Sequence, residues 1–233
     1  MKLLALSLFS LLTSFDLKAQ LRDPTPAEKT VLDKAVSAIV YTLDQFNSND
    51  WDKINDYYNN DISLNEKPYV PIDINCNFER EYRVRNNSDR YNDKIRPLVE
   101  KIQAATQQSD YQTALDLGKQ YKALSNLTVY AYINRNNASV TDSGVTRITV
   151  NGAPYAYHTS KGYYDNFTNS YWLLFGNWKT AKSEPSGLTF HFNHPNKTPY
   201  IENIVIIIEG ADDRIQQLLK TVNWSEVQNG LTP

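Results

Sequence analysis

Ile204-Val205-Ile206-Ile207-Ile208-Glu209-Gly210 is the stretch on which the fold turns. Its five β-branched residues are apolar on both parities, so neither side of a strand built from them can face water. The pattern predicts an interior strand covered on both faces. After Gly210 the period changes. Ile215, Leu218, Leu219 and Val222 recur at helical spacing, and Trp224 falls just beyond them. Asp212 and Asp213 stand in the expected first turn, where the positive end of the helix dipole favours carboxylates. The unit reads as a buried strand, a glycine turn and an amphipathic helix folded back over the sheet.

Upstream of this unit the chain alternates. Leu127, Val129, Ala131 and Ile133 interleave with Thr128, Tyr130 and Tyr132. Residues 145–150 and 153–158 flank Asn151-Gly152, a hairpin signal because both positions of a type I′ turn need positive φ. A loop over 161–170, a strand over 171–175 and the alternation of Leu188, Phe190 and Phe192 follow. The C-terminal half thus predicts an antiparallel sheet of about five or six strands.

Before Leu127 the period is mostly helical. Thr25-Pro26-Ala27-Glu28 has the spacing of a capping box. Val31, Ala35, Ala38, Ile39, Leu43 and Phe46 form one apolar stripe behind it. Trp51, Ile54 and Tyr58 suggest a short second helix over 50–58. Ile72, Ile74, Cys76 and Phe78 alternate as a half-buried strand, and 79–85 reads as a charged strand edge or a bridge between lobes. Ile95, Leu98, Val99 and Ile102 mark another helix, kinked or restarted at Pro97. Tyr111, Leu115 and Leu124 mark a third, and the short loop between these two predicts an antiparallel hairpin.

The fold class expected is α+β: N-terminal helices packed on an antiparallel sheet, closed by a C-terminal amphipathic helix. The core is expected to include Leu98, Leu115, Phe190, Ile206, Ile208 and Leu218. Residues 1–19 read as a signal peptide, 20–125 as a mainly helical region, and 126–233 as the antiparallel sheet plus C-terminal helix. The last two are expected to form one cooperative unit.

The chain has 233 residues, with 24 Lys and Arg against 26 Asp and Glu, a net charge of −2. The charges are dispersed, which argues against a nucleic-acid partner. Lys2, the apolar run over 3–12 and Ala19 predict secretory cleavage before Gln20. No later run is long and apolar enough to predict a transmembrane helix. The expectation is a bacterial protein, periplasmic or secreted. Cys76, the single cysteine, can make no intrachain disulfide and lies too far from the cleavage point to anchor a lipid.

Catalytic motifs are lacking. There is no Gly-x-Ser-x-Gly elbow, P-loop or dinucleotide fingerprint, and no cofactor is expected. His158, His191 and His194 are weak metal candidates, because their spacing matches no metal signature. Glu209, Asp212 and Asp213 read as complements to a helix N-terminus. Glu79 and Glu81 sit one strand period apart among Arg80, Arg83 and Arg85, as a surface ion-pair set or, less simply, a pair straddling a sugar bond.

The aromatics are the most suggestive feature. Tyr155, Tyr157, Tyr163, Tyr164, Trp172 and Trp178 crowd into two strands and one loop. Tyr and Trp bring large contact area with few rotors and a polar tip. They predict an exported, non-catalytic module that binds a protein or glycan partner through an aromatic β face. A periplasmic hydrolase with a His or carboxylate site, and a self-associating structural envelope protein, are the alternatives. The binding reading requires that the face be exposed.

Overall fold

The computed structural model describes residues 20–22, 24–59, 62–64, 77–135, 137–140, 144–163, 167, 169–178, 182–184, 187–192 and 200–232. The expected signal segment, Cys76, Tyr164 and His194 lie outside the described residues. In chain order the elements are β1 Gln20–Arg22, α1 Pro26–Asp44, β2 Trp51–Asn59, β3 Ile62–Leu64, β4 Asn77–Val84, α2 Arg96–Gln107, α3 Tyr111–Ser125 and β5 Asn126–Ile133. There follow β6 Asn137–Val140, β7 Thr146–Ile148, β8 Tyr155–Thr159, β9 Ser170–Gly176, β10 Lys182–Glu184, β11 Gly187–His191, β12 Asn203–Gly210 and α4 Asp212–Thr221. A π turn over Tyr91–Ile95 leads into α2, and a 3-10 helix, Trp224–Gly230, follows α4.

The β-branched run forms β12, and all eight of its residues are buried. Among the described residues β12 is the fourth of seven strands, in the order β2-β4-β5-β12-β9-β8-β7. It pairs antiparallel with β5 on one side and β9 on the other. Ile204, Ile206 and Ile208 share a core with α1, α4 and the 3-10 helix. Val205 and Ile207 share a second core with Ala138 and Val140 of β6 and Phe190 of β11. Period-two alternation thus feeds two hydrophobic layers from one strand. Each buried side chain contributes about 1.5–3 kcal/mol.

The fold is α+β, as the change of period predicts. The N-terminal α1 and the C-terminal α4 cover the same face of the sheet. The other face is covered by a second sheet, β10-β11-β6, all antiparallel. The large sheet also recruits two strands from the N-terminal half. Residues 51–59 are strand rather than helix, because β2 finds its partner in β4, with Trp51 opposite Val84. Nor does the charged segment lie at an edge: β4 sits between β2 and β5. It tolerates that position because Arg80, 0% exposed, is neutralised by Asp44 and Asp56. Leu115, expected in the core, is 57% exposed on α3. Of that helix only Ser125 is buried, so α2 and α3 pack chiefly on each other.

The Asn151-Gly152 turn joins β7 to β8, but Asn151 does not take positive φ, so the turn is not type I′. Gly152 does, at φ 85°, and a Cβ there would lie 2.3 Å from the backbone nitrogen of Ser225. The glycine is required by a close approach of the 3-10 helix as well as by its own dihedral.

Candidate functional site: an aromatic cleft between the sheets

Alternation places Tyr155, Tyr157 and Trp172 on the face covered by the second sheet. Tyr157, Trp172 and Trp178 are only 7, 5 and 3% exposed. The Tyr157 ring lies 4.9 Å from Phe190 of β11, and Trp178 meets Phe192 edge-on at 5.2 Å. The two indole N–H groups are satisfied internally. The Trp178 indole N–H donates to the Phe175 carbonyl at 3.0 Å, and that of Trp172 to Ser170 Oγ at 2.9 Å. Tyr155 is half-buried and donates to the Trp178 carbonyl at 3.4 Å. The expected open aromatic platform is therefore mostly core. A sheet face this apolar finds a covering layer, here β6 and β11.

Among the described members of the set, Tyr163 is the one that stays at the surface, 39% exposed. Its ring stands edge-on to Trp172 at 5.3 Å and to Tyr132 at 6.1 Å, with Tyr130 at 6.3 Å. Its backbone N–H donates to the carboxylate of Glu209, itself buried in β12. Beside it the Arg135 guanidinium lies 4.1 Å over the Tyr132 ring, close enough for a cation–π contact. The Arg135 backbone is clamped from both ends: its N–H donates to Asn203 Oδ1 at 2.9 Å, and its carbonyl accepts from Asn203 Nδ2 at 3.0 Å.

These groups border a cleft of about 230 Å³ between the sheets. Trp172, Val205 and Ile207 line its depth, and the exposed Asn137 and Ser139 stand on the β6 side. Tyr132, Arg135, Asn137 and Ser139 were not singled out by the sequence. The available signal is the tyrosine pair Tyr130 and Tyr132 on the parity of β5 opposite its aliphatic residues.

The other candidates separate. His158 lies on the helical face of the sheet, its ring 4.6 Å from Tyr171, whereas His191 is exposed on β11 across the opposite face. No cluster of three or more His, Cys, Asp or Glu able to hold a metal occurs among the described residues. The three carboxylates at the β12–α4 junction take three tasks. Glu209 holds Tyr163, Asp212 accepts the Tyr171 hydroxyl at 2.6 Å, and Asp213 pairs with Arg90. Burial pushes the Tyr171 phenol up, and the Asp212 charge adds to the shift. Burial also acts to raise Asp213, but Arg90 outweighs it and the carboxyl ends below its usual value.

Glu79 and Glu81 share a shallow hollow of about 240 Å³ with Asn55 and Tyr57. Burial, then the charge of Glu81, raises the Glu79 carboxyl. Glu81 accepts from Arg83 at 3.0 Å and from Asn126 at 3.1 Å. No helix among the described residues is long and apolar enough to cross a membrane. Compared with known proteins, the chain matches no family model, no curated protein and no solved structure.

Proposed function

We propose that the protein is an exported, non-catalytic binding module that takes a glycan residue into the cleft between its sheets. The observation that carries this reading is the exposed Tyr163 ring set against Trp172 and Tyr132, with the Arg135 guanidinium stacked alongside. A sugar offers an apolar ring face and a rim of hydroxyls. The cleft offers aromatic walls beside a guanidinium, with the exposed Asn137 and Ser139 of β6 at its border. Buried Trp172 and Val205 fix its depth, so binding orders few additional side chains. The periplasmic or secreted location rests on Lys2, the apolar run over 3–12 and Ala19.

A glycan array run beside a pull-down from envelope extract tests the reading. Tyr163→Ala and Arg135→Ala are expected to weaken glycan capture by about 1–3 kcal/mol with the unfolding midpoint nearly unchanged. Equal capture by the parent and both variants overturns the cleft. Capture of protein but no glycan, lost in the same variants, keeps the cleft and replaces the ligand class. The competing carboxylate-hydrolase reading rests on Glu79 and Glu81 in their shared hollow. It requires turnover of a carbohydrate substrate that Glu79→Gln abolishes.

A further inference from the structure

A cavity larger than the aromatic cleft lies on the other face of the large sheet. It is a groove of about 460 Å³ between the β7–β8 hairpin, β9 and α4. That volume falls in the range of small-molecule sites. Ile148, Val150 and Leu219 supply apolar wall. Tyr171 and His158 supply two rings, 4.6 Å apart and inclined by 39°. Tyr171 is fixed in place: its hydroxyl donates to Asp212 at 2.6 Å and accepts from Gln216 Nε2 at 2.8 Å. That phenol proton is already committed, so Tyr171 presents its ring to the groove rather than a free donor.

The remaining polar groups are biased in charge. Lys220 lines the groove with a full positive charge, next to the Asn151 amide, the Thr149 hydroxyl and the His158 imidazole. Among the described lining residues there is no carboxylate; Asp212 reaches the site only through the Tyr171 hydroxyl. An ammonium with several other hydrogen-bonding groups favours an anionic, acceptor-rich ligand. Ring and aliphatic walls favour a flat, partly apolar body. We propose that this groove is a second ligand site, for a small carboxylate carried on a ring.

The test uses the full chain and two probes, phenylacetate and D-glucuronate, with phenylacetamide and methyl β-D-glucoside as neutral counterparts. Backbone amide shifts are followed by NMR. At least one acid is expected to bind in the low millimolar range, moving amides of β7, β8 and α4. Its neutral counterpart is expected to bind about tenfold more weakly, and Lys220→Met to cost the acid a similar factor. Phenylacetate alone would identify an aromatic acid, glucuronate alone a sugar acid, and both a site dominated by the carboxylate. Thr149→Trp, at an exposed position on the groove wall, is expected to block binding. If that variant fails to fold, Lys220→Met decides. No shift with either acid, or equal binding of acid and neutral probe, overturns the proposal. Tyr163→Ala leaves this groove untouched, so the two sites stand or fall separately.

Discussion

Arg80 carries its charge at the centre of β4 with no exposure to water. Its Nε and Nη2 grip Asp56 at 2.7 and 2.8 Å, and its Nη1 reaches Asp44 at 2.7 Å. Burial acts to raise the Asp56 carboxyl, but the hydrogen bonds and charge of Arg80, with Lys53 helping, hold it below the ordinary 3.8. A lowered acid stabilises the folded state above its unfolded value, and that stability is lost as pH falls through the folded value. Asp56→Asn is therefore expected to cost about 2–3 kcal/mol at neutral pH, because the buried cation keeps only Asp44. The same variant should lose less stability than the parent on acidification below 3.8. Urea midpoints across pH check both, and an unchanged midpoint at neutral pH refutes the account. None of this was legible in 79–85, where alternating signs read equally as a solvated surface. A sequence shows that Arg80 has carboxylates in the chain, not that Asp44 and Asp56 come from α1 and β2 to meet it.

Elements whose signals are local were legible. The α1 start is one case: Thr25 N–H donates to Glu28 at 2.8 Å, and Glu28 N–H donates back to Thr25 Oγ1 at 3.3 Å, all within four residues. The central strand is another, because a run apolar on both parities leaves few alternatives. β2 was illegible for the opposite reason. Trp51, Ile54 and Tyr58 suit one side of a helix, and the strand forms through its pairing with β4, some twenty residues on. The cleft was half legible. Parity groups Tyr157 with Tyr155, yet cannot say whether helices, a sheet or water will lie over them. Burial also ranks the elements in stability. β12 is wholly buried, whereas α3 buries only Ser125. Native-state hydrogen exchange should find β12 amides opening only with global unfolding, and the first turns of α3 opening at far lower cost. Equal protection in the two would contradict the picture of α2 and α3 as a weakly docked hairpin.

The described molecule has two hydrophobic layers, one on each face of the large sheet, and β5, β12 and β9 feed both. Covering the helical face of β12 does not cover the other face, which needs β6 and β11. Tyr157, Trp172 and Trp178 serve that second layer, which explains why they carry no exposed ring. β12 also occupies 203–210, after every other strand of both sheets. As a ribosome delivers the chain, β5 and β9 each emerge with one side unpaired, and both sides wait for the same late arrival. The halves β2-β4-β5 and β9-β8-β7 have no hydrogen bonds to each other in the sheet order until then. A chain stopped at residue 202 should show no cooperative unfolding transition by circular dichroism, and a sharp transition would mean the halves close without their shared strand. Assembly is thus a timing problem: the nascent protein stays unfinished, with two open β edges, until β12, the last of the described strands, has been made.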